Sequence, residues 1–410
     1  MSGFLQTGSK ADCTACGACA QCCPRGAVSL KEDQYGFVFP EIDPVRCIHC
    51  GLCRKVCPVD NSNVLFHPSG SGRAVAGFAK DETIRAASSS GGFFTGVVRA
   101  FWKDGETVVF GAELQPDLTV AHTRADTLDD IAKFRKSKYA RSDTRNTFAE
   151  TRVLLAEGKR ILYSGTPCQI AGLLSFLGGG AEPENLLTVD IVCHGYFSPL
   201  FLRKERAFLE RKHGSKAVDY EFRNKDGGHW KDFKAVWRFQ NGDCVEMPRA
   251  MLPYHAVWSR HLISRDSCHA CRFARADRVS DITLADFWHV KEDSPLFGAN
   301  GGTSLVLANT GKGQRILASL KDSYFLEPVD RDWIAPLKYG LHAAKGPHPH
   351  RSEALADLTR LSYTRFCRKW MTSHRPSALR RLTNKVAGAV RKILRSMVRT
   401  PHSLTRGSHG

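Results

Sequence analysis

Short apolar runs alternate with longer segments of helical spacing through most of residues 74–345. Asn241-Gly242 between two such runs predicts a tight hairpin, and the run at 160–164 leads into a helical pattern at 170–177. This alternation predicts a mixed α/β domain, but the order of its strands is left open. The predicted strands are 107–114, 118–123, 160–164, 186–192, 234–239, 244–247, 281–287 and 303–309.

Two copies of one cysteine run precede this domain, and each member of the second lies 34 positions after its counterpart. Both read C-x2-C-x2-C-x3-C-P, which is the spacing of thiolates that hold two 4Fe–4S clusters, the fourth cysteine of each run binding the other cluster. Zinc more often takes separate C-x2-C pairs, and disulfides need an oxidising compartment. Cys22 has Val56 as its counterpart and is therefore predicted to be a small buried side chain. The predicted ligand sets are Cys13, Cys16, Cys19 and Cys57 for one cluster, and Cys47, Cys50, Cys53 and Cys23 for the other.

Charge is distributed unevenly along the 410 residues, whose formal net charge is +18. From Arg360 onward there are thirteen Lys or Arg and no acidic residue, and apolar residues recur at helical spacing over 378–398. The tail is thus predicted to be a basic helix, which lies on an anionic membrane surface or a partner, or packs on the body with a solvated face. Nucleic acid is disfavoured because no recognition motif accompanies the charge. Without a signal peptide or an apolar span, the chain is predicted to be cytoplasmic, with peripheral contact to the inner membrane face as an alternative.

Four regions follow from these patterns. Residues 1–62 are predicted to be a ferredoxin-like α+β module and 63–73 a linker. Residues 74–345 are predicted to be the mixed α/β domain and 346–410 the basic helical tail.

Four further cysteines stand at strand ends or loops of the α/β domain. Cys168 and Cys193 each follow a predicted strand, and Cys268 and Cys271 form a C-x2-C pair. Because strand ends can converge on one edge of a sheet, the four thiols are candidates for a third 4Fe–4S cluster. A zinc site and independent buried cysteines are the alternatives.

Two weaker patterns suggest an anion site. Small residues at 88–92 lead into an apolar helix start, where backbone N–H groups can bind phosphate, although a plain helix cap has the same pattern. A basic run surrounds Tyr139 and would neutralise a pyrophosphate or form a solvated face. Neither a G-x-G-x-x-G signature nor a Walker loop is present.

A set of motifs in one order resembles the beta subunit of the coenzyme F-420 hydrogenase/dehydrogenase family over roughly residues 75–340, with the ferredoxin module fused in front. The resemblance implies a flavoprotein domain with FAD beside a 4Fe–4S cluster held by the four cysteines of the α/β domain, which we call the body cysteines. It also implies flavin contacts at Ser89, Ser90, Gly91, Gly92, Lys136, Lys138 and Thr166. The motifs are Ser89-Ser90-Gly91-Gly92, Arg135-Lys136-Ser137-Lys138-Tyr139, Gly165-Thr166-Pro167-Cys168-Gln169, Cys193-His194-Gly195, Cys268-x-x-Cys271 and 281–288.

These features predict an iron–sulfur flavoprotein oxidoreductase that passes electrons between a hydride-exchanging substrate at FAD and a partner. His194, next to Cys193, is the candidate catalytic group. The alternative is a structural histidine in a loop, with its hydrogen bonds satisfied within the protein. The expected partner is a redox protein or a soluble carrier, namely deazaflavin, nicotinamide or ferredoxin. The alternatives are an electron-relay component of a larger complex, and an accessory protein at the membrane face, for instance in envelope polysaccharide synthesis, with structural clusters.

Overall fold

A computed structural model describes residues 3–60, 66–68, 72–179, 183–226, 230–288, 290, 294–296, 301–330, 334 and 338–371. Met1–Tyr363 and Thr364–Gly410 form two separate compact units. The predicted linker falls largely outside the described residues, and so does the tail beyond residue 371, so the four-part division stays a prediction. Within the described part of the chain, no helix is both long and apolar enough to cross a bilayer.

The N-terminal module repeats its backbone every 34 residues. Helices α2 and α3 occupy corresponding positions, and each begins after a glycine with positive φ, 89° at Gly17 and 73° at Gly51. Ala15 and His49, also 34 apart, take φ of 57° and 53°. The cysteine repeat is therefore a repeat of loop conformation as well. The elements are α1 (Phe4–Thr7), a 3-10 turn (Lys10–Asp12), α2 (Ala18–Gln21), β1 (Val28–Glu32), β2 (Val38–Ile42) and α3 (Leu52–Lys55), with β1 and β2 antiparallel.

The large domain contains the remaining strands and helices. Its strands are β3 (Arg73–Ala79), β4 (Thr107–Leu114), β5 (Val120–Ala125), β6 (Ser142–Asp143), β7 (Arg160–Ser164), β8 (Leu186–Ile191), β9 (Ala217–Asn224), β10 (Lys234–Phe239), β11 (Cys244–Pro248), β12 (Ile282–Asp286), β13 (Ser304–Ala308) and β14 (Tyr324–Pro328). Its α-helices are α4 (Glu82–Ala86), α5 (Phe93–Phe101), α6 (Thr147–Ala156), α7 (Pro167–Phe176), α8 (Pro199–His213), α9 (Pro253–Ser259), α10 (Asp266–His269), α11 (Gly311–Ser319) and α12 (Arg351–Arg360); α13 (Tyr363–Met371) leads into the second unit.

Nine strands form the main sheet in the order β14-β3-β13-β12-β8-β7-β4-β5-β6, and β11-β10-β9 form a second sheet. The central strands β12, β8, β7 and β4 are parallel. Their carboxyl ends therefore meet at one edge, where ligand sites of α/β sheets commonly lie. Cys168 follows β7, Cys193 follows β8, and Asp286 ends β12 at this edge.

The ferredoxin module packs directly against α6 and α7. Cys16 and Ala18 belong to the same apolar cluster as Ile170 and Leu173 of α7. The Thr144 hydroxyl donates to the carbonyl of Cys16 at 2.9 Å. This contact brings the first cysteine run next to the motif that contains Cys168.

The predicted strands of the large domain are confirmed to within a few residues, including the hairpins β4–β5 and β10–β11. The prediction missed β3, β6, β9 and β14, and it missed most of the helices, α8 among them. In α8 only Phe201, Glu205 and Leu209 are buried. Because this buried face is narrow and the rest of the helix is strongly charged, the sequence shows no clear amphipathic pattern. The ferredoxin-like region and the mixed α/β domain are confirmed as the fold class.

Candidate cofactor site

The first predicted thiol set lies between the ferredoxin module and the large domain and consists of Cys13, Cys16, Cys19 and Cys57. Burial, with smaller contributions from the nearby sulfurs of Cys57, Cys168 and Cys13, raises the pKa of the Cys16 thiol to about 12. Burial also raises the pKa of Cys19, with Cys16, Cys13 and Cys57 as neighbours. The fold thus brings together the four thiols of this set and places Cys168 beside them. Such buried thiols become stable anions only when a metal binds them.

The second thiol set lies at the surface. Cys23, Cys47, Cys50 and Cys53 line one depression, and Cys50 is exposed. At Cys23, slight burial raises the pKa, but hydrogen bonds from backbone N–H groups lower it by more, so the net pKa is lowered. One of these donors is Ala27 N, 3.2 Å from the Cys23 sulfur. Donors of this kind tune the potential of a cluster that the sulfur holds.

Cys22 lies beside the second set. Its thiol donates to the carbonyl of Cys19 at 3.3 Å and packs in the apolar cluster below the module. Burial raises its pKa to about 12, with Cys53, Cys23 and Cys50 nearby. Cys22 is half-buried, which fits the small apolar side chain predicted from its counterpart in the repeat, Val56.

The body cysteines also come together, and we call Cys168, Cys193, Cys268 and Cys271 the body set. Burial raises the pKa of the Cys193 thiol, and the neighbouring Cys168, Cys268 and Cys271 raise it further. Gly195 lies so close to this group that a Cβ there would be 2.9 Å from the Cβ of Cys268. The Thr166 hydroxyl lies 3.2 Å from the Cys168 sulfur. The strand-edge geometry therefore joins β7, β8 and α10 at one cage.

Among the described residues, no three His, Cys, Asp or Glu side chains are close enough to hold a single metal ion.

A buried cation stands between the first thiol set and the body set. Arg265 is fully buried. Its Nε donates to the carbonyl of Cys13 at 2.9 Å, and its terminal nitrogens donate to Val38 O and the Tyr196 hydroxyl. Burial lowers its pKa, but Tyr196, Cys13 and Cys268 outweigh this effect and raise it. No carboxylate in the described part of the chain forms an ion pair with it, and the acceptors of its hydrogen bonds are two carbonyls and the Tyr196 hydroxyl.

The serine–glycine loop is held by partners within the protein. The Ser89 hydroxyl accepts from Ser137 N at 2.8 Å, which joins two of the motifs that sequence reasoning singled out. The Ser90 hydroxyl donates to Thr303 O, and Gly91 N donates to the Ser304 hydroxyl. Gly92 has φ of 87° and begins α5. These contacts fix the loop at the edge of β13.

The other predicted flavin contacts are likewise engaged. Lys136 forms an ion pair with Glu221 at 2.5 Å. Lys138 donates to two carbonyls of its own loop, and burial lowers its pKa to about 7. Thr166 caps α7 reciprocally with Gln169. The predicted residues Lys136, Lys138 and Thr166 are therefore bonded to partners within the protein.

Asp286, at the end of β12, is the centre of a charged and aromatic group. It forms an ion pair with Arg223 at 2.5 Å. Its charge also acts on Tyr139, on His194 and on Lys225. Burial lowers the pKa of His194, which keeps its imidazole neutral. The second sheet contributes Arg223 and Lys225, both on or next to β9.

Three guanidinium nitrogens near this group are buried without a hydrogen-bond partner among the described residues: Arg85 Nη2, Arg223 Nε and Arg223 Nη2. Lys225 Nζ donates to the carbonyls of Arg85, Ser90 and Gly301, which ties the serine–glycine loop to the same place. Trp230 and Trp288 stack at 4.7 Å, and the Arg223 guanidinium lies 5.4 Å from the Trp288 ring. Arg223 pairs with Asp286 through Nη1, so its other two nitrogens and Arg85 Nη2 are the donors that no described residue satisfies.

Sequence reasoning missed Arg85, Arg223, Lys225 and Arg265. No spacing rule marks these residues, because their partners are far away along the chain. Asp286 was within a quoted motif, and a carboxylate at the end of a parallel strand was the one available signal.

Comparisons with known protein families match the two halves of this arrangement. The family model for the C terminus of the beta subunit of coenzyme F420 hydrogenase/dehydrogenase matches residues 158–332. The 4Fe-4S dicluster domain family matches residues 12–61. The first match contains all four body cysteines, and the second contains both cysteine runs.

Individual relatives show the same division. The F component of the F(420)H(2) dehydrogenase of Methanosarcina mazei is 25% identical over 198 residues, covering 44% of this chain and 53% of that protein. The chain therefore spans about half the length of that relative. A ferredoxin-like protein in the nif region of Rhizobium leguminosarum bv. trifolii is 40% identical over 58 residues, covering 13% of this chain and 83% of that protein.

One solved structure is also similar, that of the xenon-derivatised F420-reducing NiFe hydrogenase complex from Methanosarcina barkeri. It aligns with 75% of this chain and 94% of its own at 17% identity, with a TM-score of 0.41.

Proposed function

We propose that this chain is an iron–sulfur flavoprotein oxidoreductase, because residues 158–332 match the family model of coenzyme F420 hydrogenase/dehydrogenase beta subunits and residues 12–61 match the 4Fe-4S dicluster domain family. It passes electrons between a hydride-exchanging substrate and a redox partner protein. The observation that carries the proposal is the row of three thiol sets: one at the surface, one between the module and the large domain, and one at the carboxyl edge of the sheet.

In this proposal each thiol set holds one 4Fe–4S cluster. Cys16 and Cys168 interact electrostatically and belong to one packed cluster, so the first and body sets are neighbours and electrons need no long step between them. Arg265 supports the assignment because a fully buried cation without a carboxylate partner among the described residues is costly unless an anionic thiolate cluster lies beside it.

FAD would lie between the serine–glycine loop and the Asp286 group. The residues fit such an anion because Arg85 and Arg223 have unpaired buried donors there. The predicted contacts at Ser89–Gly92, Lys136, Lys138 and Thr166 would shape this pocket. A bound flavin exchanges hydride in two-electron steps and releases electrons singly, which links an organic substrate to clusters.

His194 is the proposed proton acceptor beside the substrate. Its ring lies 5.7 Å from that of Trp258 in an edge-on arrangement, and Trp258 Nε1 donates to Gly195 O. A neutral imidazole in this position accepts a proton more readily than it donates one.

The test begins with oxygen-free purification and measurement of iron, sulfide and flavin. We expect three 4Fe–4S clusters and one flavin in the wild-type protein. Cys168→Ser should lose the signal of one cluster and keep two ferredoxin-type signals, while Cys244→Ser, at an exposed position on β11, keeps all three. Wild-type protein without iron and flavin, or a Cys168→Ser variant with three clusters, would contradict the proposal. Metal analysis showing zinc at this cage would establish the alternative.

A second measurement separates an enzyme from a pure electron relay. The purified chain should reduce an artificial one-electron acceptor when a hydride donor such as reduced deazaflavin or NADH is supplied. Flavin that is bleached by dithionite but by none of the hydride donors would favour the relay function.

A further inference from the structure

The surface around the second thiol set is unusually apolar for an exposed region. Eight large hydrophobic side chains are exposed among the described residues, and four of them, Ile42, Val45, Ile48 and Leu52, lie within the loop that carries this set. Val45 is 92% exposed and Ile48 is 59% exposed. We call these four residues the distal face. A concentration of exposed apolar side chains commonly marks an interaction site.

The distal face surrounds the thiols themselves. Ile42, Ile48 and Leu52 line the same depression as the four cysteines of the second set, and Cys50 is exposed there. A protein that docks on this face would therefore come within short range of a cluster held in that cage.

The internal repeat supplies a reference for this surface. Subtracting 34 from the positions of the distal face gives Gly8, Ala11, Thr14 and Ala18, which are all small. Ala18 is fully buried in the apolar cluster that joins the module to α7. Of these four counterparts only Ala18 packs against the large domain, and Gly8 and Ala11 are exposed small residues. At the same positions of the repeat, the second half presents large apolar residues to solvent.

Charge around the distal face is mainly positive. Arg25, Arg46 and Arg54 are exposed beside it. The nearby acids are engaged locally: Glu41 pairs with Lys31 at 3.1 Å, and Asp43 accepts from Val45 N. Two copies of this face would repel each other, which disfavours self-association.

We propose that the distal face is the docking site for a small acidic one-electron carrier protein. Such a carrier has the opposite charge, and it exchanges electrons one at a time, as a cluster requires. The proposal rests on the electron-transfer function proposed above and adds the class of partner and its binding surface. Apolar contact provides a short-lived interface, and the arginines steer the approach.

The test is stopped-flow mixing of the full-length holoprotein with a reduced acidic 2Fe–2S ferredoxin of the plant type. We expect the second-order rate of cluster reduction to fall at least about tenfold from low to high salt. The double substitution Arg46→Glu with Arg54→Glu should lower the low-salt rate by about tenfold or more. Val45→Asp with Ile48→Asp should lower the rate at both salt concentrations, because it removes the apolar contact.

Two controls make the outcome specific. Arg315→Glu, a charge reversal on α11 in the large domain, should leave the rate unchanged. Dithionite should reduce the clusters of every variant at the wild-type rate, because it needs no docking surface. If dithionite does not reduce clusters in the wild-type protein, the electron-transfer function fails. If dithionite does reduce them, but both double substitutions leave the rate of reduction by ferredoxin unchanged, only the docking proposal is overturned.

Other occupants give different results. A dimer in sedimentation that Val45→Asp dissociates would assign the face to a second copy and overturn the proposal. Binding to vesicles of anionic phospholipid that Arg46→Glu abolishes would assign it to a lipid surface and overturn it as well.

Discussion

Replacing Arg265 by methionine should make one 4Fe–4S cluster harder to reduce. The guanidinium is fully buried, and it donates to the carbonyl of Cys13 at 2.9 Å and to that of Val38 at 2.9 Å. The sulfurs of Cys13 and Cys268 are among the groups whose charge acts on it. Removing a positive charge from this position disfavours an added electron, so the reduction potential should become more negative.

The size of the shift follows from Coulomb's law. A unit charge at roughly 6 Å from the cluster, with an effective dielectric constant of about 20, interacts by about 2.8 kcal/mol. For a one-electron couple each factor of ten, or about 1.4 kcal/mol, corresponds to about 59 mV, so the expected shift is about 120 mV. Solvent screening is small here because the side chain is fully buried.

An anaerobic potentiometric titration followed by EPR measures this shift. Arg265→Lys keeps the charge and should move the potential much less than Arg265→Met. Arg203→Met is the matched control, because Arg203 is half exposed and pairs with Glu32 on the module surface at 2.8 Å. Iron content has to be equal in all four proteins. Coinciding potentials in wild-type protein and Arg265→Met, with full iron content, would refute the assigned role of this cation.

Two further substitutions test the packing and the acid stability of the large domain. Gly172→Ala places a Cβ 2.9 Å from the Cβ and Sγ of Cys16, so overpacking of about 1–3 kcal/mol should outweigh the helix-propensity gain of about 1 kcal/mol. In urea unfolding we expect a less stable variant, whereas Gly311→Ala, whose nearest atom is 3.8 Å away, loses no stability; equal stability of both would show that the module contact is loose. Burial lowers the pKa of His122 from 6.5 to about 4, so the unfolded state binds its proton first, and stability falls by about 3 kcal/mol as pH drops through this range. His122→Gln should flatten the urea midpoint against pH between these values, and parallel curves for both proteins would exclude this histidine as a source of acid sensitivity.

The sequence predicted those parts of the protein whose geometry is set by local spacing. The cysteine runs are such a case, because three ligands of each cluster lie within one short loop, and the repeat of Ala15 and His49 at positive φ reflects that loop. The body set was predictable for a different reason: Cys168 and Cys193 follow strands that turned out to be parallel neighbours. The strand order itself was not predictable, since each pairing depends on residues far apart along the chain.

The polar partners of the site were beyond sequence reasoning. Lys225 donates to carbonyls of residues 85, 90 and 301, and no local pattern relates these positions. The hydroxyl of Ser90 was predicted as a phosphate contact, and in the fold it donates to Thr303 O. A run of small residues predicts that a backbone approaches something closely, but it does not say whether the neighbour is a ligand or another strand. The flavin contacts therefore stay predictions.

The 34-residue repeat also explains why sequence symmetry does not give functional symmetry. The two cages share loop conformation, yet Cys16 in the first is buried against α7, while Cys50 in the second is exposed. In the first, the buried Arg265 supplies positive charge; in the second, backbone N–H groups around Cys23 and solvent do so. Because burial and hydrogen bonds to sulfur set cluster potentials, two cages with the same cysteine spacing should differ in potential. Docking of one half on the large domain gives the repeat a direction, with an inner cage against the large domain and an outer cage at the surface.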